Sequence, residues 1–83
     1  MAKKKPSSSR KPRDPRAAEL RALGERIRVH RKHRKFSQQG LAAELGLSLA
    51  YISLIECGRR NPPYSRVVAI ARALGVSAAK LVA

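Results

Sequence analysis

The segment that most constrains this chain covers residues 37–58 and reads SQQGLAAELGLSLAYISLIECG. Ser37 and Ser48 each stand before a short stretch of helix-forming residues, where a serine hydroxyl can cap the first turn. Gly46 lies between the two stretches, and a second glycine closes the segment, as expected of residues that end helices in a left-handed conformation. The pattern predicts two short helices joined by the turn 46–48, with the second helix projecting from the surface.

The same pattern of serines and glycines continues along the chain, and no segment alternates with the period of two that is typical of strands. Helices are predicted at 17–34, 38–45, 49–57, 64–74 and 78–82. Residues at three- and four-residue spacing form the predicted core: Leu20, Leu23, Ile27, His30, Leu41, Ala42, Leu45, Ile52, Ile55, Val67, Ile70, Ala71, Leu74 and Leu81. His30 is expected at the edge of this core, with its ring partly open to solvent. Tyr64 is expected to pack where the fourth helix begins. The predicted fold is all-α, a compact bundle of five helices.

The charge of the chain indicates the class of its partner. Among 83 residues, 19 are Lys or Arg and 5 are Asp or Glu, so the formal net charge is +14. This excess predicts a polyanionic partner, most often nucleic acid and less often an acidic membrane surface. Residues 1–16 contain seven basic residues, one acid and three prolines, with no large aliphatic side chain after Met1. We expect 1–16 to be a disordered basic arm and 17–83 to be the folded domain.

Residue types exclude several other classes of protein. No apolar run approaches the length of a membrane-spanning helix, and the N-terminus lacks the apolar segment of a secretory signal. Cys57 is the single cysteine, which excludes an internal disulfide and favours a reducing, cytoplasmic compartment. We find no nucleophile–base set, no metal-ligand spacing and no glycine-rich phosphate loop. The sequence therefore predicts no enzyme, no metal, no cofactor and no small-molecule ligand.

A set of spaced residues between about 23 and 81 carries a family pattern. Its members are Ile27, Arg31, Ser37, Gln38, Leu41, Ala42, Gly46, Leu47, Ser48, Tyr51, Ile52, Ser53, Ile55, Glu56, the run 58–62, Ile70, Ala71 and the run 73–76. This pattern resembles the Cro and lambda-repressor type of helix-turn-helix DNA-binding domain. The resemblance implies a five-helix bundle in which the second helix crosses the DNA backbone and the third enters the major groove.

The resemblance also implies a set of site residues. The DNA-binding candidates are Gln38, Gln39, Ser48, Leu49, Ala50, Tyr51, Ser53, Leu54, Arg59, Arg60 and Asn61. Gln38 would touch a phosphate or support a base contact, and Arg59, Arg60 and Asn61 would face the phosphate backbone. Arg31 and Glu56 would form an ion pair that fixes the third helix against the first. Lys35 would take a left-handed conformation at a position where glycine is usual.

Helical geometry gives an independent interpretation of the third helix. With Ile52 and Ile55 inward, at about 100° per residue, the outward arc is fixed. That arc holds Ala50, Ser53, Leu54 and Cys57, with Leu49 at one edge. Leucine and alanine can contact a thymine methyl group, but they cannot hydrogen-bond base edges as Gln, Arg, Asn or Lys would. We expect sparse hydrogen-bond readout, with affinity from phosphates and selectivity from thymine contacts, DNA shape or the basic arm in a minor groove.

These observations favour sequence-selective binding of double-stranded DNA by a small transcriptional regulator, of the repressor or restriction–modification controller type. We expect it to act as a homodimer in the bacterial or phage nucleoid, with Val76, Leu81 and Val82 as candidates for the dimer surface. One alternative is a protein-interaction module, or an antitoxin-like bundle, that binds a partner through the apolar face of the third helix. Another is RNA binding by the arm. Cys57 is either a redox-sensitive or crosslinking residue or a small side chain without chemistry.

Overall fold

Five α-helices make up residues 16–82, which are the residues that this computed structural model describes. In chain order they are α1 Arg16–His33, α2 Gln38–Leu45, α3 Leu49–Glu56, α4 Tyr64–Leu74 and α5 Ala78–Val82. No strand occurs in that range, so the all-α prediction is confirmed, and each helix boundary lies within one residue of its predicted position. The predicted basic arm lies outside the described residues as far as residue 15, and Arg16 is the first residue of α1.

Serine hydroxyls cap the first turns of the two central helices, as the sequence predicted. The Ser37 Oγ accepts a hydrogen bond from the backbone N–H of Gly40 at 2.9 Å, and the Ser48 Oγ accepts one from Tyr51 at 3.0 Å. Gly46 ends α2 with a φ of 68°, a conformation that a residue without a Cβ adopts without strain. The resulting turn is short, so α3 leaves α2 abruptly.

Lys35 adopts the left-handed conformation that the family resemblance implied. Its φ is 63°, and within residues 16–82 it is the one non-glycine residue with a positive φ. Such a conformation costs about 1–2 kcal/mol, because the Cβ approaches the following carbonyl oxygen. The Lys35 N–H donates to the Lys32 carbonyl at 2.9 Å and the Phe36 N–H donates to the Arg31 carbonyl at 3.0 Å. These bonds hold the strained residue at the end of α1.

The core lies where the five helices face one another. Its buried apolar residues are Leu23, Ile27, Leu41, Ala42, Ile52, Ile55, Val67, Ile70, Ala71, Leu74 and Leu81. Leu45 packs against this cluster from its edge. Leu20 was predicted as a core residue but is only half-buried, whereas His30, expected at the edge of the core, is half-buried as predicted. Each lies on a part of α1 that faces a surface groove instead of another helix.

The structure contradicts two predictions about single residues, the dimer contact of Leu81 and the packing of Tyr64. Leu81 was predicted both as a core residue and as a candidate for the dimer surface; it has no exposed surface, which confirms the first role and contradicts the second. Val76 is half-buried and packs against the core, whereas Val82 is 52% exposed. Tyr64, expected to pack at the start of α4, is 67% exposed. The residue buried at that junction is Pro62.

Helix α3 is held from behind by α1 and α2, and α4 and α5 complete the bundle around α1. Gly24 makes the approach of α1 to α3 possible. A Cβ built on Gly24 would lie 2.5 Å from the carbonyl oxygens of both Ile55 and Glu56. The sequence did not predict this contact. Within residues 16–82, no helix combines the length and the apolar character needed to cross a membrane.

Candidate nucleic-acid interface

The outward face of α3, consisting of Leu49, Ala50, Ser53, Leu54 and Cys57, is open in the structure. Leu49 is 47% exposed, Ala50 and Cys57 are exposed, and Ser53 and Leu54 are half-buried. On the opposite side of the helix, Ile52 and Ile55 are each only 1% exposed. The orientation predicted from helical geometry is confirmed, and within residues 16–82 the outward face is covered only in part, at Ser53 and Leu54.

A buried ion pair anchors the C-terminal end of α3. The Arg31 Nε donates to the Glu56 Oε2 at 2.6 Å, and the Arg31 Nη2 donates to the Glu56 Oε1 at 3.1 Å. The two side chains are only 8% and 3% exposed. This two-pronged geometry is the strong form of an arginine–carboxylate contact, and it confirms the predicted pair. It joins α1 to α3.

Two further hydrogen bonds extend this pair into a network. The Gln38 Nε2 donates to the Glu56 Oε1 at 3.0 Å, and the Arg31 Nη1 donates to the Phe36 carbonyl at 2.9 Å. Gln38 was predicted to reach DNA, and its amide is engaged with Glu56 in the structure. The first residue of α2 and the last residue of α3 are therefore tied together. The angle between α2 and α3 is fixed by the Gln38–Glu56 bond as well as by the turn between the two helices.

Tyr51, the third residue of α3, has two arginines over its ring. The guanidinium carbons of Arg60 and Arg66 lie 5.3 and 5.2 Å from the centre of its ring, within the range of a cation–π interaction. Tyr51 is half-buried, Arg60 is exposed and Arg66 is half-buried. Arg66 was absent from the predicted site because it belongs to α4 and no local pattern links it to α3. The ring holds both cations beside the outward face.

The loop between α3 and α4 presents Arg59, Arg60 and Asn61 to solvent. The Arg59 N–H donates to the Leu54 carbonyl at 2.9 Å, which fixes the start of the loop against the last turn of α3. Gln39 and Ser48, at the first turns of the two helices, are exposed as well. Glu56 is the one acid in α3, and its charge is paired. The exposed polar groups around the outward face are therefore cationic or neutral hydrogen-bonding groups.

Two short, serine-capped helices that meet across a three-residue turn, with the second one exposed, define the helix-turn-helix class of domain. The chain belongs to the helix-turn-helix domain family, whose model matches residues 22–83. Among curated proteins, it is 42% identical over 60 residues to the immunity repressor protein of Bacillus phage phi105. That match covers 72% of this chain and 42% of the repressor, so the chain spans less than half the length of that relative.

Two solved structures share this fold. The restriction-modification controller protein C.AhdI from Aeromonas hydrophila is 33% identical and superposes with a TM-score of 0.74 over 77% of this chain and 97% of that chain. The hypothetical transcription factor NHTF from Neisseria is 37% identical, with a TM-score of 0.74 over 83% of this chain and 80% of that chain. The likeness extends over the five helices and is not confined to α2 and α3.

Proposed function

We propose that this chain binds double-stranded DNA with sequence selectivity and acts as a small transcriptional regulator in the cytoplasm, on bacterial or phage DNA. The observation that carries the proposal is the open outward face of α3, held rigid by a buried network and bordered by cations. An immunity repressor, a controller protein and a transcription factor are among the proteins similar to this chain, which supports the same function. The proposed activity is binding, and no catalytic step is part of it.

In the proposed pose, α3 lies in the major groove and α2 crosses the DNA backbone. A helix with its side chains is about 10–12 Å across, which matches a major groove about 12 Å wide. Arg59, Arg60 and Asn61 would then contact phosphates at one end of α3. Gln39 and Ser48 would do so from the first turns of α2 and α3. Arg31 and Glu56 would stay away from the DNA and keep α3 at its angle.

We extend the proposal to the basic arm and to a dimer. Because Arg16 belongs to α1, the arm proposed here is 1–15, with six basic residues and one acid and therefore a net charge of +5; it would add phosphate or minor-groove contacts. A dimer with two-fold symmetry would place its two α3 helices about 34 Å apart, one turn of DNA. Val82 is 52% exposed beside a groove lined mainly by apolar side chains of α1. It is our candidate for the dimer contact, with Val76 at the edge.

The test is fluorescence anisotropy with two duplexes, one of random sequence and one selected by the protein from a random pool. On both duplexes, binding should weaken as the salt concentration rises from about 50 to 200 mM. The logarithm of the association constant should fall linearly with the logarithm of the salt concentration, with a slope of about −0.9 for each phosphate contact. Arg59→Ala and Arg60→Ala should each weaken binding equally on the two duplexes and reduce the salt slope by about one unit. Arg72→Ala, an exposed arginine of α4 beside Glu44, is the control and should leave the slope unchanged.

Three results would contradict this proposal in different ways. No binding to any duplex, together with salt-independent capture of a protein, would favour a protein-interaction module that uses the outward face. Binding to nucleic acid that disappears entirely when residues 1–16 are removed would favour RNA or DNA binding by the arm alone. A change of preference at one base pair in Arg60→Ala would contradict the assignment of Arg60 to phosphates.

A further inference from the structure

The outward face of α3 has an unusual chemistry for a surface that meets base edges. Its most exposed large side chain is Leu49, at 47%, with Ala50 beside it and Leu54 half-buried one turn later. Ser53 is its one hydroxyl, and it carries no charged or amide group. The face can therefore offer van der Waals contact at three positions and a hydrogen bond from a hydroxyl at one.

The major groove offers one apolar group to such a face. Each base pair presents hydrogen-bond donors and acceptors there, and the methyl group on C5 of thymine is the exception. A leucine pressed against donors or acceptors would leave those polar groups without partners, which is costly. The same leucine against a methyl group removes apolar surface from water, which is favourable. On this argument, the apolar side chains of α3 would favour a base that carries a methyl group at that position.

Resting on the proposed function, we infer that α3 is a reader of C5-methyl groups on pyrimidines. Leu49 and Leu54 distinguish thymine from uracil by the methyl group, and they distinguish 5-methylcytosine from cytosine in the same way. The methyl group occupies the same ring position in both bases. Thymine and 5-methylcytosine differ at the neighbouring position, where one has a carbonyl and the other an amine. Because leucine bonds to neither, the methyl group decides the contact.

The charges around the outward face favour DNA over an apolar protein groove as its occupant. Arg59 and Arg60 are exposed in the loop that follows α3, and the Tyr51 ring holds Arg60 and Arg66. The carboxylate of Glu56 is bound by Arg31 and leaves no exposed negative charge on α3. A partner that contacts Leu49 and Leu54 on the outward face and the arginines around it must itself combine apolar groups with negative charge, as thymine-containing duplex DNA does.

The experiment begins with the duplex selected from a random pool, at one salt concentration. Each thymine is replaced in turn by uracil, and the dissociation constant is measured. Each lost methyl contact should weaken binding about fourfold, the value expected for one buried methyl group. At the same positions, a C·G pair is then compared with a 5-methyl-C·G pair. The methylated duplex should bind about fourfold more tightly.

Variants separate side-chain contact from changes in DNA stiffness. Leu49→Ala and Leu54→Ala should each reduce the thymine-to-uracil ratio to near one at the position that the leucine contacts, and leave the ratio elsewhere unchanged. Arg59→Ala is the control, because it should weaken binding to thymine and uracil duplexes by the same factor. Leu54 is half-buried, so its variant is first checked for an unchanged melting temperature; Leu49 is 47% exposed and supplies the test if the Leu54 variant unfolds.

The outcomes distinguish this inference from the proposed function. Methyl readout would be overturned if replacing every thymine by uracil changed the affinity by less than twofold while a sequence preference persisted. DNA binding would then still stand. A thymine-to-uracil ratio that survives both leucine variants would overturn methyl readout as well, since the discrimination would then come from the DNA. If Leu49→Ala or Leu54→Ala abolished binding to a protein and left DNA binding unaltered, the outward face would be assigned to that protein partner. Absence of all duplex binding would overturn both proposals.

Discussion

At the scale of single residues, Glu56 shows how an unfavourable local position is compensated by a distant side chain. An acid at the C-terminal end of a helix is disfavoured by the helix dipole. Arg31, which lies on α1, binds that carboxylate through two nitrogens, and Gln38 adds a third hydrogen bond. The Glu56 carboxylate is the shared hydrogen-bond acceptor of Arg31 and Gln38, so the bonding of both side chains depends on it.

We expect Glu56→Gln to destabilise the domain by about 3–5 kcal/mol, because it leaves the buried Arg31 guanidinium without a counter-charge. Urea unfolding followed by circular dichroism measures the effect. Glu25→Gln is the matched control, since the pair of Glu25 with Arg28 is solvent-exposed and should contribute no more than about 1 kcal/mol. Equal losses in the two variants would show that the Arg31–Glu56 pair contributes no more than an exposed one.

We expect Tyr51→Leu to weaken DNA binding by up to about five- to thirtyfold, because Arg60 and Arg66 lose the ring that holds them and the two cation–π contacts together contribute about 1–2 kcal/mol. Tyr51→Phe keeps the ring and should bind within twofold of the original protein. Fluorescence anisotropy on one duplex measures both. A loss in Tyr51→Phe as large as in Tyr51→Leu would assign the role to the hydroxyl instead of the ring.

At the scale of helices, the contact of α1 with α3 depends on the absence of a side chain. Gly24 is buried in α1, and the carbonyl oxygens at the end of α3 lie where its Cβ would be. Glycine inside a helix costs about 1 kcal/mol relative to alanine, so a purely local view would favour replacement. The close packing of two helices outweighs that preference here.

We expect Gly24→Ala to lower the free energy of unfolding by about 1–3 kcal/mol, the usual range for an overpacked site. Gly40→Ala in α2 is the control, because its new Cβ would meet the Ser37 Oγ at 3.1 Å instead of a helix backbone. Thermal unfolding of both variants makes the comparison, and the Gly40 variant should lose less. Stabilisation of the domain by Gly24→Ala would contradict the packing described here.

At the scale of the whole molecule, the positive charge serves two purposes. Arg34 donates to the Leu74 carbonyl at 3.0 Å and Arg26 donates to the Leu81 carbonyl at 3.3 Å. These bonds hold the ends of α4 and α5 against α1, so part of the charge on α1 is structural. Arg59 and Arg60 are exposed in the loop after α3, with Arg60 over the Tyr51 ring, and we propose that their guanidinium groups meet phosphates.

We expect the protein to dimerise and Val82→Asp to make it monomeric, because a charge cannot be buried at an apolar contact without a partner. Sedimentation velocity at several concentrations measures the change. Val29→Asp is the control, since Val29 on α1 is 51% exposed and Val82 is 52% exposed. Both variants should stay folded by circular dichroism, and the melting temperature of Val82→Asp should fall only by the amount that dimerisation contributes. A dimer that survives Val82→Asp, or dissociates equally in both variants, would place the contact elsewhere.

Much of the candidate site could be predicted because its determinants are local. Ser37, Ser48 and Gly46 act through bonds to residues three or four positions away, so they set the bounds of α2 and α3. The inward placement of Ile52 and Ile55 then determined which residues of α3 face outward. The Arg31–Glu56 pair spans 25 residues, and it was the resemblance to a family that predicted it.

The sequence by itself determined the five helices, their limits and the outward face of α3, since periodicity and capping act within a turn or two. The tertiary structure alone decided how distant elements meet. It brought Arg66 to Tyr51 and Gln38 to Glu56, and it placed Gly24 against the end of α3. It also decided between the two roles that the sequence left open for Leu81, core residue and dimer contact, because the side chain is fully buried beneath a helix only five residues long.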